Sequence, residues 1–143
     1  MQDSSAPAGG IGGDEINRDE VVAEVAAAFE RYERALLAND VDVLIELFWD
    51  SPLTVRYGID EQHVGSDEIA AYRRSQAVAS PARDLRNTVI TTFGDDVATV
   101  DTEFVTRDTG AVGRQSQTWV RTSHGWRVTS AHVSWCSQHV PRT

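Results

Sequence analysis

The chain has 143 residues, 41% hydrophobic and 24% charged, a size and balance that build one domain with a core needing no cross-links. Its 13 basic residues are all arginine, and against 22 acidic residues they leave a formal net charge of −9, which sets the surface as a whole against nucleic acid and anionic membrane. The single cysteine, Cys136, excludes a disulfide framework and paired-cysteine metal sites and points to a reducing cytoplasm.

Residues 1–15, "MQDSSAPAGGIGGDE", read as a small-residue, acidic tail, so the domain is expected over 16–137 with a short tail at 138–143. The opening stretch lacks a basic region followed by an apolar run, so no signal peptide is expected, and no apolar run approaches the roughly 18 residues of a membrane span. Asn17 is the expected N-cap of a first helix, with Glu20 as its capping-box partner. From Val21 the apolar positions 21, 25, 28, 29, 32, 35 and 36 form one helical stripe that ends near Ala38-Asn39-Asp40. A second short helix is expected in "DVDVLIELFWD", with Val43, Leu44, Leu47 and Phe48 inward, broken by Ser51-Pro52.

"LTVRYG" and "IDEQHVG" read as two short strands, and "DEIAAYRRSQAVA" as a third helix that Ser80-Pro81 ends. Four longer strands follow, at about 83–93, 96–107, 112–122 and 126–135, with turns at Gly94-Asp95-Asp96, Asp108-Thr109-Gly110 and Ser123-His124-Gly125. Helices grouped first and antiparallel strands last define an α+β domain, with a curved sheet wrapped around the long helix to leave an internal cavity.

The runs "FERYE", "FWD", "VRYG", "GSDEIAAYRRSQ" and "GRQSQTWVR" together resemble the AtzH-like proteins, over roughly residues 16 to 135. These form a branch of the cone-shaped, nuclear-transport-factor-like superfamily, near the SnoaL-like proteins. The resemblance implies a place in cyanuric acid or oxalurate catabolism and decarboxylation of 1,3-dicarboxyurea to allophanate. It matches the family's catalytic tyrosine to Tyr32 and its catalytic arginine to Arg56.

The residues themselves offer both a plain and a chemical reading. Tyr32 lies on the apolar stripe, where a core tyrosine bonded to a backbone carbonyl is the ordinary outcome; inside a cavity its phenol could donate a proton. Arg56 alternates with Val55 and Tyr57, and if it points inward it needs an anion, which a substrate carboxylate would supply. Neither of the last two strands has a purely apolar face, which fits a polar cavity lining. Gln117 and Trp119 are the expected binding residues on the first of them, with Arg114 and Ser116 as the alternative face. His132 and Arg73 complete the expected binding set. Loss of carbon dioxide from a carbamate requires a proton on nitrogen and an anchored carboxylate, so no metal or organic cofactor is expected. The expected ligand is a small dicarboxylate or carbamate, and the expected assembly is a homodimer through the outer sheet face, suggested by the tryptophans and valines of the last two strands. A non-catalytic partner of an amidase is the rival role. Acid–base isomerase chemistry would need an inward carboxylate, for which Asp101, with Glu103 on the same face, is the candidate.

Overall fold

The computed structural model of the chain describes residues 10–136; the expected tail at 138–143 and His139 lie outside them. The apolar stripe folds as helix α1, Asp19–Ala38, burying Val21, Val25, Phe29, Tyr32, Ala35 and Leu36 along one side. Arg18, not Asn17, is its N-cap. Asn17 stands before the helix in the left-handed conformation (φ 56°). Its backbone N–H donates to the Thr92 carbonyl (3.1 Å), and its Oδ1 accepts from the Thr92 N–H (2.7 Å). The one side-chain oxygen that could have capped the helix is therefore bonded to the sheet. Upstream, Gly13–Glu15 make a turn of 3-10 helix, the Gly94 N–H donates to the Glu15 carbonyl (3.0 Å) and Ile16 bridges Phe93, so the last residue of the expected tail is tied to the sheet.

Asn39, also left-handed (φ 51°), ends α1, and Asp40 accepts from the Val43 N–H (3.4 Å) to start α2, Val41–Glu46. Leu44, Leu47 and Phe48 are buried as expected, while Val43 is only half-buried. Strands β1, Val55–Tyr57, and β2, Gln62–Val64, form a small antiparallel hairpin. Helix α3 covers Ser66–Ser75 and stops well before Ser80-Pro81, because Gln76 already takes an extended conformation.

The meander is β3, Arg83–Phe93, β4, Val97–Thr106, β5, Val112–Thr122, and β6, Gly125–Trp135. The six strands form one sheet in the order β2-β1-β6-β5-β4-β3. Every neighbouring pair is antiparallel except β1 with β6, which are parallel and align Arg56 with Ala131. The sheet's inner face packs on α1 and α2, with Ala98, Val100, Trp119, Trp126 and Val128 in the shared core.

A bulge in β6 decides which side chains face inward. Thr118 pairs with Ser130 but Trp119 pairs with Val128, which leaves Thr129 as an extra residue. One inserted residue reverses the alternation beyond it. Before the bulge Trp126 and Val128 are buried; after it Ala131 is buried and His132 is exposed. On β4 the inner set is Ala98, Val100, Thr102, Phe104 and Thr106, so Asp101 points outward and is exposed. Glu103 shares that outer face and pairs with Arg86 (2.9 Å). The outward placement of both carboxylates removes Asp101 and Glu103 as candidates for acid–base isomerase chemistry.

Candidate functional site

The open end of the curved sheet, α1, α3 and the β1–β2 hairpin enclose a cavity of about 240 Å³. That is near the lower end of ligand cavities, roughly 300–1,000 Å³, and suits a small molecule. Tyr32 from α1 and Arg56 from β1 both line it. The stripe of α1 carries Tyr32 into the core, where it is 4% exposed and packs edge-on to Phe48 with ring centroids 6.3 Å apart. Its hydroxyl does not bond a backbone carbonyl. It accepts a hydrogen bond from Arg73 Nη2 of α3 (3.2 Å), which leaves the phenolic proton free to be donated.

Arg73 is 5% exposed, and its Nε is buried without a partner. Arg74, its neighbour, is exposed on the other side of α3. Arg56 is also buried, with Nη1 bonded to Glu61 Oε1 (3.0 Å) and within 3.5 Å of His63 Nδ1, while its guanidinium lies over the Tyr72 ring at 4.7 Å. A third arginine, Arg83, stands at the start of β3. It makes a two-pronged ion pair with Glu33 of α1, donates to Gln115 Oε1 (3.1 Å) and covers the Phe104 ring at 4.4 Å.

Gln117 lines the cavity and is buried. Trp119, expected beside it as a binding residue, does not line the cavity: it is fully buried in the core, and its indole N–H donates to Gln117 Oε1 (3.0 Å). Trp119 therefore orients Gln117 from behind. Arg114 and Ser116 face outward, opposite Ser134 and His132. His132, displaced by the bulge, reaches the cavity only at its rim and meets Tyr57 edge-on at 5.7 Å.

Glu33, Glu61, Arg83 and Gln115 were not singled out from the sequence. Glu33 had a signal, since it follows Tyr32 within "FERYE" and sits beside the apolar stripe. Arg83 had none, because its partner lies fifty residues away.

Burial works to raise the Glu61 carboxyl, but the hydrogen bond and charge of Arg56, aided by Tyr72, outweigh it and hold Glu61 below the ordinary carboxylate range. Burial, then the Arg56 charge, pushes the His63 imidazole down. Burial raises the Tyr72 phenol. Among the described residues no group of three or more His, Cys, Asp or Glu side chains converges as a metal site.

The charge balance has a sign. Three buried guanidinium groups, Arg56, Arg73 and Arg83, are met by two carboxylates, Glu61 and Glu33. Arg73 has no ion pair among the described residues and bonds only the neutral Tyr32. The cavity-lining side chains with a buried, unpartnered polar atom are Arg73, Gln115 and Gln117, and in each that atom is an N–H donor. A buried wall with surplus positive charge and surplus donors calls for an anion rich in acceptors.

Comparison with known proteins gives the family and the fold. The chain matches the AtzH-like family over residues 14–139, and it belongs to that family. A crystal structure of a protein of unknown function from the DUF3225 family of Pectobacterium atrosepticum is 51% identical, covers 90% of this chain and 100% of its own, and superposes with a TM-score of 0.86. A cystatin-like fold protein from Burkholderia xenovorans is 47% identical over 89% of this chain and 98% of its own, with a TM-score of 0.82. A ketosteroid isomerase-like protein from Erwinia carotovora atroseptica, 22% identical over 84% of this chain and 99% of its own with a TM-score of 0.65, shares the nuclear-transport-factor-like fold. A comparison with curated proteins finds no match.

Proposed function

We propose that this AtzH-like chain is a cytoplasmic, cofactor-independent decarboxylase of a small N-carboxylated urea, such as 1,3-dicarboxyurea, giving allophanate. The observation that carries the reading is the cavity's uncompensated guanidinium, Arg73, in hydrogen-bond contact with the Tyr32 phenol. An anion drawn to Arg73 is thereby brought beside a hydroxyl that has a proton to give.

The reaction balances without a further reactant. The bond between nitrogen and the departing carboxylate carbon breaks, its electron pair remains on nitrogen, and carbon dioxide leaves. Tyr32 supplies the proton that nitrogen takes up and regains one from solvent. Arg73, already donating to the phenolic oxygen, stabilises the charge left there. Arg56 holds the second carboxylate. Its one bond to Glu61 and its stacking on Tyr72 fix the guanidinium plane, and the rest of its planar fork remains available. Leu36, Ala131 and Val133 supply apolar wall around the leaving group.

The test is carbon dioxide release from freshly generated 1,3-dicarboxyurea with and without the purified chain. Acceleration over the spontaneous rate, with allophanate as product, is expected. Tight binding of the urea with no acceleration would overturn decarboxylation in favour of an accessory protein that shelters the ligand for an amidase.

A further inference from the structure

The two glutamines of the cavity wall carry more information than their polarity. Gln115 and Gln117 sit two residues apart on the inner face of β5 and are 6% and 2% exposed. An amide side chain can present either its oxygen or its NH₂ group, and a free glutamine would choose according to the ligand. Here neither can choose. Gln117 Oε1 accepts from the Trp119 indole (3.0 Å), and Gln115 Oε1 accepts from Arg83 (3.1 Å). Indole and guanidinium nitrogens are donors only, so each must face the oxygen end of its glutamine. Turning either amide would set two donors against each other in a buried place. Arg83 is itself held by the Glu33 carboxylate and the Phe104 ring, and Trp119 is locked in the core. Both NH₂ groups are consequently fixed, buried and unpartnered in a wall that lines the cavity.

We propose that Gln115 and Gln117 are the specificity-determining pair of this cavity: they admit a ligand whose group at β5 offers carbonyl or carboxylate oxygens and refuse one that presents an N–H donor or a hydrocarbon there. The substrate class is then an acid with a second acceptor-bearing end, such as an acylurea, a keto acid or a dicarboxylate, and amino acids are excluded. A buried NH₂ facing an ammonium or an alkyl end loses its water and gains nothing, which is the basis on which polar sites reject analogues.

The proposal rests on the anion-binding reading of the cavity and not on turnover, so the experiment uses unreactive probes. Levulinate, pentanoate and 4-aminobutanoate are titrated into the protein by calorimetry. Each carries one carboxylate for Arg73, and they differ at the far end as ketone, alkyl and ammonium. Levulinate is expected to bind about tenfold more tightly than pentanoate, and 4-aminobutanoate to bind most weakly. In Gln115→Met and Gln117→Met the preference for levulinate over pentanoate should shrink while pentanoate binding persists, with circular dichroism and melting confirming the fold. Gln115→Met leaves the Trp119 bond intact, so it serves if Gln117→Met does not fold. Equal binding of levulinate and pentanoate by the unaltered protein, or a preference that survives substitution, overturns the glutamine assignment and leaves the anion site standing. Failure of all three probes to bind overturns both.

Discussion

The hydroxyl of Tyr32 accepts from Arg73, and this one contact separates binding from chemistry at the scale of single residues. Tyr32→Phe keeps the ring against Phe48 and removes only the phenolic group. Substrate binding should stay nearly normal while turnover falls about 10²–10⁴-fold, the usual worth of a positioned proton donor. Single-turnover carbon dioxide release alongside calorimetric binding checks the split. His63 makes a second prediction. Its imidazole is held below the ordinary value near 6.5 by burial and by Arg56. As pH falls through the window between that ordinary value and the lower folded value, the unfolded chain takes up a proton that the folded chain refuses, so stability drops; above the window its contribution is complete. Glu61, also depressed, loses its stabilising contribution at lower pH still, as the carboxyl protonates in the folded state. Melting temperature followed from about pH 8 to 5 should fall on acidification, and His63→Gln should flatten the upper part of that fall. The alternating pattern of β1 set Arg56 opposite Val55 and Tyr57 but left open which face is inward, and its partner Glu61 was not legible, because the hairpin turn between them had no pairing signal in the sequence.

At the scale of elements, the strands of the meander were legible to within about a residue at each end, since turn residues bracket each one. Helix ends were less so. Asn17 has the right chemistry for a cap, yet the sheet offered it two hydrogen bonds to Thr92, and the sheet won. Asn17→Ala removes the acceptor for the Thr92 N–H and strains a left-handed backbone. It should cost about 1–3 kcal/mol in urea unfolding, the penalty for a stranded buried donor. Gly113 is a tighter constraint. A Cβ there would lie 2.1 Å from Phe104 Cζ, so the ring fills the space a side chain would need. Gly113→Ala should destabilise by about 1–3 kcal/mol through overpacking. Because Phe104 lines the cavity and supports Arg83, which holds Gln115, the variant should also weaken ligand binding. A melting curve and an anion titration on one sample test both effects.

At the scale of the whole molecule, no helix among the described residues covers the outer face of the long strands. By register it carries Val89, Val97, Val105 and Val120 among Arg114, Ser116 and Thr118. Of the three tryptophans that suggested an apolar outer surface, Trp119 and Trp126 face the core, and Trp135, though exposed, packs on Phe104 at the cavity. The valines remain, and we propose that a second copy of the chain covers this face. Light scattering at micromolar concentration should give the mass of a dimer, and Val97→Arg, at an exposed strand position, should shift it toward monomer without loss of fold.

The α+β order, the inward stripe with Tyr32, the four-strand meander and the surplus of acid over base were all determined by the sequence itself, because each rests on local periodicity, turn chemistry or simple counting. Tertiary structure alone decided the polarity of the cavity. The extra residue at Thr129 turned His132 out and Ala131 in, the parallel pairing of β1 with β6 brought Arg56 onto the same wall, and Glu33 met Arg83 across fifty residues. Alternation along a strand specifies two faces but not which one is buried or where a bulge exchanges them. An ion pair between distant segments leaves no trace in either segment's own pattern. The donors left over on Arg73, Gln115 and Gln117 became visible only when every other hydrogen bond around them had been placed.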